Sequence, residues 1–212
     1  PAPSPWRCDA IRPVWPRSIF ARAAALCAPR AAPDRGKMPR MYHDIVTQMK
    51  KQLGQLDKWL DAAAAHAKEK SFDPNLYLTA RLSLDQFAFA RQVQTACDTA
   101  KLAVSRLTGT PAPSHPDTEQ TLDELHARVR SVIAFLDGFT AKDFEGAATR
   151  VITQPRWEGK TMTGAAYFVE HAIPNFYFHL THVYAILRHN GVNVGKRDYL
   201  GALSLQAPEA AV

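Results

Sequence analysis

The longest coherent run of apolar positions spans Gly164 to Gly191 and ends in Asn190-Gly191, a helix stop. At 100° per residue, Val169, Ile173, Phe176, Leu180, Val183 and Leu187 share one broad face. His171, Asn175, His179 and His182 fall within an arc of roughly 80° on the other side, flanked by Phe168, Phe178 and Ile186. A helix that is apolar most of the way round belongs inside a bundle, with its few polar groups turned to a pocket or to one another. Pro174 lies within it and lacks the N–H of a helical turn, so the helix is expected to kink or divide there.

Three more helices precede it. Ile45, Met49, Leu53, Leu56, Leu60 and Ala63 keep the 3–4 spacing of one buried stripe, which predicts a first helix over 42–68. Asp73-Pro74 is a capping residue followed by proline at a first helical position, and a second helix, irregular near its start, is predicted over 76–107. The proline-rich stretch 109–116 is a loop no helix can cross. Thr121 and Glu124 have the spacing of a capping box, and Leu122, Leu125, Val129, Val132, Ile133 and Leu136 form the stripe of a third helix ending at Gly138. Between Thr140 and Lys160 the pattern is irregular, with a short extended pair expected within 151–160 despite Pro155. Residues 191–201 read as a structured turn and loop, and 204–212 as a frayed tail. The fold class is all-α: a four-helix bundle over 41–203.

Charge changes the picture mainly by its location. The chain of 212 residues carries a formal net charge of +6. Residues 1–40 hold eight basic and two acidic residues, which is the whole excess; 41–212 hold 18 of each. The body is therefore electroneutral, and nucleic-acid binding is not expected of it. The same 40 residues contain eight of the fifteen prolines and show no sustained helical or strand period. They read as a disordered basic leader. It is a non-native extension ahead of a start at Met41 or Met38, an organelle transit segment, or a functional arm. Of the three cysteines only Cys97 lies in the body, which excludes an internal disulfide there and suits a reducing, cytoplasmic location, or a mitochondrial one if the leader is a transit segment. No apolar run approaches the length that spans a bilayer.

Pro174-Asn-Phe-Tyr-Phe-His179, Ala185-Ile-Leu-Arg-His-Asn-Gly-Val192 and Gly195-Lys-Arg-Asp-Tyr-Leu-Gly201 resemble an uncharacterised branch, of the domain-of-unknown-function kind, of the DinB/YfiT-like superfamily. The resemblance extends over 41–203 and includes Leu136 to Phe144 and the helix end from Gln92 to Gly109. It implies an up-down-down-up bundle, often dimeric. Better-known relatives hold a divalent metal with one histidine from the second helix and an HxxxH pair from the last, and several are thiol-dependent transferases or isomerases. Carried over residue by residue, the pair falls on Asn175 and His179, and the second-helix position near Gln92.

A Gln92, Asn175, His179 set departs from the three-histidine pattern, because carboxamide oxygens are weak, neutral ligands for Zn²⁺ or Ni²⁺. His171 and His182 share the arc and are the available substitutes. His179 is either a ligand or acid/base group in a pocket, or a buried histidine bonded to Asn175 or Gln92 in a structural polar layer. Two functions follow. The first is a homodimeric small-molecule-binding or structural module with a degenerate metal site. The alternative is a metal-dependent enzyme centred on His179 and acting on an unidentified, thiol-bearing substrate.

Overall fold

The long apolar stripe of the first helix extends further toward the N-terminus than its composition suggests. In the computed structural model, which describes residues 37–207, helix α1 runs Lys37–Lys70. Residues 37–40 of the basic leader are thus helical, while 1–36 and 208–212, and the expectations of disorder placed on them, lie outside the described residues. Tyr42, Val46, Met49, Leu53, Leu56, Trp59, Leu60, Ala63 and Ala67 bury one face of α1.

Asp73 accepts a hydrogen bond from the Asn75 backbone N–H, but the turn it caps is only a 3₁₀ segment, Pro74–Thr79. Helix α2 begins at Phe89, not near 76, and runs Phe89–Thr108. The intervening residues form a loop closed by the Phe89 N–H to Ala80 C=O bond at 2.9 Å. Leu84 and Phe87 stay exposed on that loop, so no apolar face drives it into a helix. Gly109 ends α2 in the left-handed conformation, φ 84°. Helix α3, Leu122–Asp137, opens with the expected capping box: Glu124 N–H to Thr121 Oγ1 at 3.2 Å and Thr121 N–H to Glu124 Oε2 at 3.1 Å.

The irregular stretch contains one hairpin, in which β1 (Val151–Thr153) pairs antiparallel with β2 (Thr161–Thr163), Ile152 opposite Met162. Pro155 sits in the connecting 3₁₀ turn Pro155–Trp157, where it needs no ladder hydrogen bond. The last long helix is divided as expected, into α4 (Gly164–Ala166), a π-helical segment Tyr167–Ala172, and α5 (Ile173–His189). The wide π turn directly before Pro174 absorbs the missing N–H. It also changes the angular phase: Val169 is exposed, whereas Phe168 and Ala172 are buried in its place. Residues 196–200, expected as a loop, form α6 (Lys196–Leu200), with Asp198 Oδ2 accepting from Gly195 N–H at 2.7 Å.

The four long helices form an up-down-down-up bundle. Asp57 of α1 meets His126 and Arg130 of α3 while Lys50 meets Asp137, so α1 and α3 are antiparallel. Gln92 meets His179 and Thr99 meets Asn175, so α2 and α5 are antiparallel. Tyr42 lies against Phe168 and Trp59 against Tyr184, so α1 and α5 run parallel. Helices α1 and α2 face each other across the bundle diagonal. No helix among the described residues is long and apolar enough to cross a membrane.

Candidate functional site

The polar positions of α2 and α5 meet where the two helices pack. His179 is only 6% exposed, and its Nδ1 lies 2.7 Å from Gln92 Oε1. The Gln92 amide nitrogen donates to the Phe87 carbonyl at 3.3 Å, which can only accept, so Oε1 faces the imidazole. Nδ1 must then carry the proton, and Nε2 is the unprotonated nitrogen. Phe87 stacks parallel to the ring at 6.1 Å and Phe178 meets it edge-on at 5.2 Å. Burial, aided by His182, Arg91 and Arg156, pushes the His179 pKa down to about 4, so the imidazole is neutral at physiological pH.

The other residues of the arc do not join this pair. Thr99 Oγ1 donates to the Thr95 carbonyl and accepts from Asn175 Nδ2, both at 2.7 Å, which turns the Asn175 amide nitrogen away from His179. The π turn carries His171 toward the hairpin. There it stacks on Tyr167 at 5.5 Å and its Nε2 accepts from Arg156 Nη2 at 3.1 Å. His182 is pinned locally by a 2.7 Å bond from Nδ1 to the Phe178 carbonyl, with the Gln86 amide at 3.4 Å from Nε2. An open cavity of about 380 Å³ is lined by Glu170, His171, Pro174, Asn175, Phe178 and His179. A smaller one of about 90 Å³ shares His171 and Asn175 with it and reaches Arg106, Gln154, Arg156 and Tyr167.

Sequence reasoning missed those four residues. Gln154 and Arg156 lie in the aperiodic hairpin segment, and only Arg106 and Tyr167 lie on helices. The buried ion cluster under the proline-rich loop was also missed. Arg128, with its side chain 1% exposed, contacts Asp98 at 2.6 Å, Asp117 at 2.9 Å and Glu119 at 2.8 Å. Lys101 adds a second cation 2.9 Å from Asp98. A sequence signal existed in the arginine interrupting the apolar stripe of α3 between Leu125 and Val132. Cys97 is buried, its thiol pushed up to about 12 chiefly by burial, which makes it an inert core residue.

The family described as "Domain of unknown function (DUF1993)" matches residues 41–200. The chain belongs to the DUF1993 family. The crystal structure of a DinB family member protein from Shewanella denitrificans is similar to it, at 52% identity and a TM-score of 0.78, covering 81% of this chain and 98% of that one. No curated protein matches this chain. This DUF1993 chain is thus a DinB-like bundle, and its metal positions can be tested by their chemistry. Gln92 Oε1 already accepts the His179 proton, the Asn175 amide nitrogen is bound to Thr99, and one nitrogen, His179 Nε2, is left as a good donor. Among the described residues no three His, Cys, Asp or Glu side chains are grouped to share an ion. One imidazole and two carboxamides do not fit Zn²⁺ or Ni²⁺, which need further nitrogen, sulfur or carboxylate ligands.

Proposed function

We propose that this DUF1993 protein is a homodimeric small-molecule-binding bundle in which the metal positions have become a hydrogen-bonded polar layer. The observation that carries this reading is the Gln92–His179 pair at the wall of the larger cavity. Burial keeps the imidazole neutral and the hydrogen bonds fix its tautomer, with Nε2 as an acceptor for a ligand N–H or O–H. Pro174 and Phe178 supply apolar wall, and a few fixed polar groups in an apolar setting are what small-molecule sites commonly offer. The exposed apolar side chains of Leu84, Phe87 and Phe178 favour assembly with a second copy.

Elemental analysis of the full chain, followed by calorimetric titration with Zn²⁺ and Ni²⁺, tests the reading against the metal-dependent enzyme. The expected result is substoichiometric metal and no saturable uptake that depends on His179. One equivalent of transition metal, present in the wild type and lost in a folded His179→Ala variant, would replace it with the metalloenzyme centred on His179. Light scattering of the same samples is expected to give twice the monomer mass.

A further inference from the structure

Two arginines come together at the π segment without an acidic partner. Arg106 Nη1 donates to the Tyr167 hydroxyl at 2.9 Å, and its guanidinium lies 5.5 Å from the Tyr167 ring centroid. Arg156, across the cavity on the hairpin, donates to His171 Nε2. Among the described residues neither arginine has a carboxylate within ion-pair distance, in contrast to Arg91, Arg128 and Arg130. The one carboxylate lining this cavity, Asp98, is already neutralised by Arg128 and Lys101.

Two donors at the same cavity are unpartnered. Gln154 is 6% exposed, and its Nε2 is buried without a hydrogen bond. His171 accepts at Nε2 from Arg156, so its proton sits on Nδ1, and that atom too is buried without a partner. A buried unsatisfied donor costs about 1–3 kcal/mol. Two of them beside two unpaired guanidinium groups form an arrangement lacking only an acceptor with negative charge. Thr95, Thr99 and Asn175 complete the polar wall, but the first two hydroxyls donate to backbone carbonyls and the Asn175 amide nitrogen is bound to Thr99.

We propose that the small cavity between α2, the π segment and the hairpin binds the oxyanion head, a carboxylate or phosphate, of a small ligand whose body lies in the adjoining larger cavity. Arg106 and Arg156 supply the charge, and Gln154 Nε2 and His171 Nδ1 the neutral donors. The volume of about 90 Å³ suits a compact head group, and the shared wall of His171 and Asn175 sets the two spaces side by side. This assignment rests on the reading of the cleft as a small-molecule site and names the chemistry of one end of the ligand.

The test is calorimetric titration of the full chain with benzoate, phenylphosphate and, as a neutral body, benzyl alcohol. The two anions are expected to bind saturably and the alcohol not at all. Arg156→Gln, at an exposed position, and Arg106→Gln should each weaken binding by about tenfold, one charge-assisted hydrogen bond. Arg188→Gln, an exposed arginine at the far end of α5, should leave it unchanged. The relative affinity of benzoate and phenylphosphate assigns the head group. Equal binding of anions and alcohol overturns the anion site while leaving a small-molecule cleft. Equal weakening in all three arginine variants reduces the effect to general charge and also overturns it. No binding by any probe overturns both readings.

Discussion

The protonation of His179 gives the sharpest quantitative test of the polar layer. An exposed histidine titrates near 6.5, whereas burial against Phe87, Phe178 and α2 pushes His179 to about 4. As pH falls through 6.5 the unfolded chain takes up a proton at this residue, and the folded chain does not until near pH 4. Stability from this group is therefore fully present above 6.5 and is lost progressively as pH drops across that window. A full shift corresponds to about 3 kcal/mol, and about 2 kcal/mol of it is lost between pH 7 and 5. Urea unfolding of wild type and His179→Gln at pH 7, 6 and 5 isolates the effect, because carboxylates and other histidines contribute alike to both. The difference in unfolding free energy should shrink by about 2 kcal/mol over that range in favour of the variant. The imidazole resonance of His179 should stay that of the Nδ1–H tautomer down to pH 5. A pH-independent difference, or a titration near 6.5, would refute the buried neutral pair with Gln92.

Two further outcomes test the frame around the site. Arg128→Met leaves buried Glu119 without its cation, while Asp98 keeps Lys101 and Asp117 keeps Arg91, and should cost about 3 kcal/mol by urea unfolding, the low end for a broken buried pair. Burial works to raise the Glu119 carboxyl, but the hydrogen bond from Arg128, with others, holds it below the usual range; its stabilisation is present above the unfolded pKa and lost as pH falls through the folded one, so the variant should lose less on acidification toward pH 4 than the wild type. In Gly164→Ala the added Cβ would stand 1.9 Å from the Ala147 carbonyl oxygen and 3.1 Å from Leu107 Cδ2, so α4 must shift. A loss at or above the 1–3 kcal/mol (about) typical of overpacking is expected, read as a lowered thermal midpoint, and an unchanged midpoint would mean α4 and the turn at Ala147 are not held in contact.

Local chemistry made much of the bundle legible without coordinates. The Thr121/Glu124 capping box, the glycine stop of α3, the stripe of α1 and the division of the last helix at Pro174 all depend on residues within a few positions of one another. Where the local signal was weak it misled: Asp73-Pro74 caps a 3₁₀ turn, α2 starts at Phe89, and 196–200 is helical. The sequence offered His179 two partners, Gln92 and Asn175, and only the antiparallel packing of α2 and α5 chose Gln92. Asn175 and His171 were not separable from His179 by angle alone. A single π turn rotates His171 out of the arc, and the Thr99 hydroxyl, 76 residues from Asn175, captures its amide. The anion cavity had no sequence signature at all, because Arg106, Gln154, Arg156 and Tyr167 come from two helical segments and a hairpin with no common period. Helical periodicity and capping are properties of consecutive residues and so are written in the chain. The gathering of two lone guanidinium groups and two unsatisfied donors around one cavity is a property of surfaces that only packing brings together.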